Sequence, residues 1–202
     1  MRLSKLLIAS DNPGKLAEYQ ELLSGLGIEI VSMRDVGIEQ APEETGSTFE
    51  ENALIKARYC WDMTGIPSLA DDSGLEVEAL GGEPGVRSKR WAGEQISDAE
   101  RNKLLIERLN KTSSPNKSAR FVCVIALIDR YGDEHLFRGE VQGVIIDHPR
   151  GSYGFGYDPI FYLPEIGKTF AELDLLEKNR VSHRARAARL AVDWMRHNLD
   201  KL

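Results

Sequence analysis

Cysteine is scarce in this chain: 202 residues hold only Cys60 and Cys123. No spacing suggests zinc ligands or a disulfide framework. Cys60 falls in a helix-like segment and Cys123 in a strand-like one, so both read as small buried hydrophobes. A reducing, cytoplasmic setting fits. Long hydrophobic runs are missing too. The longest, Phe121 to Ile128, is too short to span a bilayer and reads as a buried central strand. The start of the chain leads straight into a short apolar segment, without the long apolar stretch and cleavage site of a signal peptide. Positive charge is in deficit, with 26 Lys and Arg against 32 Asp and Glu and a net charge of −6. That balance argues against a general nucleic-acid binder, which needs a basic surface to displace counterions. It leaves room for a small anionic substrate in a locally positive cleft. The composition marks neither disorder nor a repeat, and the length suits one domain, with or without two lobes.

The pattern that is present alternates. Residues 5–10 read as a strand, and Asn12 with Pro13 as the cap and first turn of a helix. Leu16, Tyr19, Leu23 and Leu26 recur at helical spacing, and Ile28 to Val31 return as a strand. Residues 41–47 are loop-like. A second helix fits Thr48 to about Met63, with Phe49, Ala53, Ala57 and Cys60 on an apolar face and Thr48, Asn52 and Lys56 on a polar stripe. Pro67 to Ala70 reads as a short strand, and residues 81–93 as an ordered, glycine-rich loop. Ser97 to Glu100 forms a capping box for a third helix. Two long strands, about 119–130 and 134–147, suggest an antiparallel hairpin. A glycine- and aromatic-rich loop spans Gly151 to Pro159, followed by a short strand at 160–162. A last helix starts near Ser182, with Ala188, Val192, Met195 and Leu199 as its buried stripe. The expected fold class is α/β with a mixed sheet flanked by helices, in which a cleft between two lobes would hold the site.

Several motifs carry chemistry. Ser10-Asp11-Asn12-Pro13-Gly14-Lys15 joins a strand to a helix, where free backbone N–H groups and the positive helix end favour phosphate. It lacks Walker A spacing, so a standard P-loop is excluded. Read alone, it is also an ordinary helix start. Glu43-Glu44 and Asp71-Asp72 are acidic pairs on separate segments. One carboxylate from each could hold magnesium against a triphosphate, although surface acids in turns look the same. Successive residues of an extended chain face opposite ways, so one of Asp71 and Asp72 faces the metal more directly. Lys56 could reach phosphates, or be an exposed helical lysine. Phe155-Gly156-Tyr157-Asp158 offers aromatic faces for a nucleobase, or a core-packed turn. Lys178, His183 and Arg184 place donors at the start of the last helix.

Together these residues resemble the inosine triphosphate pyrophosphatase family, over nearly the full length from Leu6 to about Leu199. The similarity also covers Glu43-Glu44-Thr45-Gly46, Glu51-Asn52-Ala53, Lys56-Ala57, Ala70 to Leu75, Gly81 to Gly93, Gly154 to Phe161 and Gly167-Lys168-Thr169. The resemblance implies an elongated two-lobed α/β domain over residues 1–202, usually a homodimer, in the cytoplasm. It implies Mg²⁺-dependent cleavage of a non-canonical purine nucleoside triphosphate (ITP, dITP or XTP) to the monophosphate and pyrophosphate. By motif, Asp72 is the general base and a metal ligand, and Glu44 a second metal ligand. Ser10, Asp11, Asn12, Pro13, Gly14 and Lys15 match the triphosphate loop. Asn52, Lys56, Ser73, Phe155, Gly156, Tyr157, Asp158, Lys178, His183 and Arg184 are the further substrate contacts, with Arg184 an expected donor to a 6-oxo group. The chain departs from the family in Ser10, where Thr is frequent, and in Asp11 and Tyr153, where Gly is frequent. Asp11 is expected to turn its charge away from the phosphates. The alternatives are a pyrophosphatase for pyrimidine or other modified nucleotides and a non-catalytic nucleotide- or nucleic-acid-binding protein. Neither nucleic acid nor membrane is an expected partner.

Overall fold

The computed structural model describes residues 4–93 and 95–202. Its seven-stranded sheet has the order β2-β1-β3-β4-β5-β6-β7. The strands are β1 (Lys5–Ile8), β2 (Glu29–Ser32), β3 (Ser68–Val77), β4 (Ser118–Ile128), β5 (Glu134–Ile145), β6 (Phe161–Leu163) and β7 (Lys168–Thr169). Among the described residues, α1 (Pro13–Leu22), α2 (Phe49–Thr64) and α3 (Asp98–Lys111) connect strands, and α4 (Leu175–Val181) and α5 (His183–His197) follow β7. β1 pairs in parallel with β2 and β3. β6 pairs antiparallel with β5 and β7. The sheet is therefore mixed, as the alternating and then hairpin-dominated pattern predicts. Residues 129–133 link the neighbours β4 and β5, too short a connection for anything but an antiparallel turn. Among the described residues no helix is long and apolar enough to cross a membrane.

The chain divides into two compact units. The first comprises Met1–Asp72, Cys123–Gly139 and Arg184–Leu202. Its core gathers Leu6 and Ile8 of β1, Tyr19 and Leu23, and Cys123, Ile125 and Leu127 of β4 with Ala188, Ala191 and Met195 of α5. The second comprises Ser73–Val122 and Glu140–His183. Its core is more aromatic: Phe121, Tyr157, Phe161 and Phe170 surround Leu75, Leu105 and Leu109. Phe121 meets Phe161 edge-on at 4.6 Å and stacks on Phe170 at 5.7 Å.

Most local expectations hold. Asn12 caps α1 through Gly14 and Lys15, Thr48 caps α2 through Glu51, and Ser97 with Glu100 forms the capping box of α3. Each such cap stabilises its helix by about 1 kcal/mol. Both cysteines are free and buried. Three readings change. β3 does not stop at Ala70 but runs through Asp71-Asp72-Ser73-Gly74 to Val77, so the acids belong to a buried strand. Lys178 lies not on the last helix but on the separate α4, whose box of Asp174 and Glu177 is legible as D-x-x-E in the sequence. Leu199 leaves the buried stripe of α5 and is half exposed in a closing 3₁₀ turn.

Candidate active site

The opening loop is held by its own side chains. Asn12 Oδ1 accepts from the N–H groups of Gly14 (2.9 Å) and Lys15 (3.2 Å), and Ser10 Oγ from Asn12 N–H (3.3 Å). Pro13 has no N–H to offer. The N–H groups of Asn12, Gly14 and Lys15 are thus occupied within the loop, and its side-chain donors are the Ser10 hydroxyl, the Asn12 amide and the Lys15 ammonium. Asp11 is exposed.

The acids of β3 have separate partners. Asp71 Oδ2 receives the Lys15 ammonium at 2.9 Å and Arg184 at 3.1 Å. Burial pushes its pKa up, but Lys15, Arg184 and Lys56 outweigh this and hold it well below the carboxylate range. Its Oδ1 is buried without a hydrogen-bond partner. Asp72 Oδ2 receives Asn52 Nδ2 at 3.2 Å, and its Oδ1 lies 3.5 Å from Lys56 Nζ. Burial raises the Asp72 pKa and Glu44 adds to this, against the pull of Lys56. Lys56 is buried rather than exposed, and its ammonium also reaches Glu44 Oε1 at 2.6 Å. Burial lowers its pKa, but the acids Asp72, Glu44 and Asp71 bring it out raised.

Asn52 ties the acidic loop to β3, since its Oδ1 accepts from Gly46 N–H at 2.8 Å. A Cβ on Gly46 would stand 2.7 Å from that oxygen, so only glycine fits this close approach. Glu44 and Asp72 therefore converge on one cation. Two hard carboxylates that already share a charge of +1 form a donor set suited to magnesium, which takes one or two carboxylates and completes its shell with phosphate and water. No cage of three or more His, Cys, Asp or Glu side chains exists among the described residues.

A second group of predicted residues gathers in the other unit. Lys178 Nζ donates to Asp158 Oδ2 at 2.7 Å and lies 4.6 Å from the ring centre of Phe155. Asp158 Oδ2 also accepts from Phe155 N–H at 2.9 Å. Gly154 has φ +76°, and a Cβ there would stand 2.1 Å from Asp158 Oδ2. Tyr157 is buried and donates to the Ser88 carbonyl at 2.9 Å, so its ring belongs to the core. Phe155 is half-buried, and Tyr153 of the same loop is exposed. His183 is buried and stacks on Phe121, with ring centres 4.6 Å apart and planes 8° from parallel. Ser73 is half-buried on β3.

Arg184 lies in the first turn of α5, as the sequence suggests. It is 1% exposed, and its terminal nitrogens donate to Glu18 and to Asp71. It sits with the acids of β3, in the unit that carries Lys15. Sequence reading missed Glu18, an acid on the buried face of α1, because nothing in helical periodicity marks a charged residue as buried. It also missed the anchors of the aromatic loop: Asp98 accepts from Gly156 N–H at 2.7 Å, and Asn102 donates to Gly156 O at 3.1 Å. Asp98 stands at the start of α3, one residue past its cap, which is the only sequence signal it gives.

A mixed α/β fold with paired carboxylates around a buried lysine, and an aromatic loop beside a second buried lysine, belongs to the class of phosphate-handling α/β enzymes. Sequence comparison narrows the class, for the Ham1 family profile matches residues 6–194, and the chain belongs to that family. A dITP/XTP pyrophosphatase of Thermus thermophilus is 49% identical over 193 residues, covering 96% of this chain and 92% of that protein. One from Geobacter sulfurreducens is 48% identical, covering 96% and 97%. The structure of a HAM1 protein from Coxiella burnetii superposes with a TM-score of 0.90 at 45% identity, covering 96% of this chain and all of that one.

Proposed function

We propose that this chain is a dITP/XTP pyrophosphatase that also accepts ITP, whose base is that of dITP. The observation that supports it most is the convergence of Glu44 and Asp72 on buried Lys56, in a Ham1-family chain whose dITP/XTP-cleaving relatives match it along nearly its whole length. Lys15 and Lys56 bind triphosphate oxygens, with the Ser10 hydroxyl and the Asn12 amide as further donors. Glu44 and Asp72 hold Mg²⁺. When bound, the ion neutralises charge that develops on the phosphate oxygens. Water attacks the α-phosphorus and pyrophosphate departs, while Asp72 accepts the water's proton.

Phe155, Lys178 and Asp158 are the proposed contacts of the base. Phe155 supplies a stacking face, and Lys178, oriented by Asp158, a donor toward a purine oxo group. A site built to donate to a 6-oxo group leaves that donor unpaired against the amino group of adenine, which discriminates by orders of magnitude. Both units serve one catalytic domain over residues 1–202. The two free, buried cysteines fit the cytoplasm, and the family resemblance supports a homodimer.

The test is a product assay with Mg²⁺ and, separately, XTP, dITP, ITP, ATP, GTP and dUTP, resolved by phosphorus NMR. Monophosphate and pyrophosphate, formed from XTP, dITP and ITP far faster than from ATP or GTP, are expected. Faster turnover of dUTP would discard the base assignment. Orthophosphate as the sole product would discard attack at the α-phosphorus.

A further inference from the structure

Four charges form a line inside the first unit. Glu18 pairs with Arg184, Arg184 with Asp71, and Asp71 with Lys15. The signs alternate and sum to zero. The side chains of Glu18, Arg184 and Asp71 are 3%, 1% and 1% exposed, whereas that of Lys15 is 17% exposed. Only the last member of the line reaches outward. A buried charge tolerates its site when it is paired and held, so each inner member fixes the next. Asp71 also differs from its neighbour in partners: Asp72 meets Asn52 and Lys56, and Asp71 meets Lys15 and Arg184.

We infer that Asp71 is a positioning residue for the pyrophosphatase reaction, acting through Lys15: it holds the ammonium in place for the triphosphate and does not bind the metal. The inference rests on the functional reading above. A flexible lysine loses much entropy when it clamps a phosphate, and a partner that orders it beforehand removes that cost from binding. The buried, unpartnered Oδ1 of Asp71 supplies the rival possibility, that Asp71 is itself a metal ligand, and the experiment separates the two.

The experiment is a double-mutant cycle on the full-length protein, with XTP as substrate and the Mg²⁺ half-saturation concentration measured for each variant. Lys15→Met should lower kcat/KM about a hundredfold, as loss of one charge-stabilising donor does. Asp71→Asn should lower it at least about tenfold in the wild-type background but less than about threefold in the Lys15→Met background, because a residue acting through Lys15 has nothing left to position. Its Mg²⁺ half-saturation should stay at the wild-type value. Equal losses in both backgrounds, or a raised Mg²⁺ requirement in Asp71→Asn, would overturn the inference while leaving the pyrophosphatase reading intact. Wild-type activity in Lys15→Met would likewise overturn the inference, whereas absence of XTP cleavage by the wild-type protein would overturn the pyrophosphatase reading. If Asp71→Asn does not fold, the double variant decides, since it retains the matched Glu18–Arg184 pair: activity within about threefold of Lys15→Met supports the inference, and a larger loss sinks it.

Discussion

The two units keep their lysines in place by different means. In the first, Lys15 and Lys56 are each set among several charges: Asp71, Arg184 and Glu18 behind one, Glu44 and Asp72 around the other. In the second, Lys178 pairs with Asp158 and has aromatic neighbours in Phe155 and Phe170. Under the proposed function, the charged set meets the triphosphate and the aromatic set the base. A triphosphate is recognised by charge, which needs counter-charges stacked in depth to hold it. A base is recognised by its face and a few donors, for which one pair within an aromatic wall suffices.

The largest effect should come from the charged unit. Asp72→Asn is expected to lower XTP turnover by about a thousandfold with an unchanged far-ultraviolet spectrum, and wild-type turnover would remove the chemistry from this unit. In the second unit, Asp158→Asn removes the carboxylate that buried Lys178 meets at 2.7 Å and should cost about 3–5 kcal/mol of stability, read by urea unfolding. A loss below about 1 kcal/mol would mean that the pair is solvated. Phe155→Ala should raise the KM for XTP by an amount equivalent to about 1–3 kcal/mol of stacking and leave kcat within about threefold. A fall in kcat alone would place Phe155 on the chemical side and erase the contrast between the units.

The smallest effect concerns pH. Asp72 holds its proton more tightly folded than unfolded, because burial and then Glu44 raise its pKa. Its ionisation therefore costs stability as the pH climbs from the unfolded value, about 3.9, through the folded one. Asp71 has the opposite sign: its lowered pKa contributes stability above the unfolded value that is lost as the pH falls below it. Asp72→Asn should thus stabilise the metal-free protein at neutral pH, with the gain vanishing toward about pH 4. Thermal melts across that range check it, and a gain that persists in acid would refute the assigned sign.

Much of this was legible in the chain itself. Helix starts were readable because caps are local: Asn12, Thr48 and Ser97 meet N–H groups within three residues of themselves. The strand–helix–strand opening and the later hairpin followed from periodicity and turn residues, and the motifs at Ser10–Lys15, Asp71–Asp72 and Phe155–Asp158 supplied the residues proposed for the site. What resisted reading was the environment of each charge. Lys56 and Glu18 have the spacing of surface residues, and only packing made them buried. Arg184 stands 113 residues from Asp71 and 166 from Glu18, so no local rule could pair them. Tyr157 and Phe155 are near neighbours of the same type in sequence, yet one was drawn into the core and the other kept a face. The sequence by itself determined which groups exist and which short segments they lie on, because propensity, capping and periodicity act over a few residues. Only the tertiary structure decided which charges meet and which are removed from water, because both depend on strands and helices far apart along the chain.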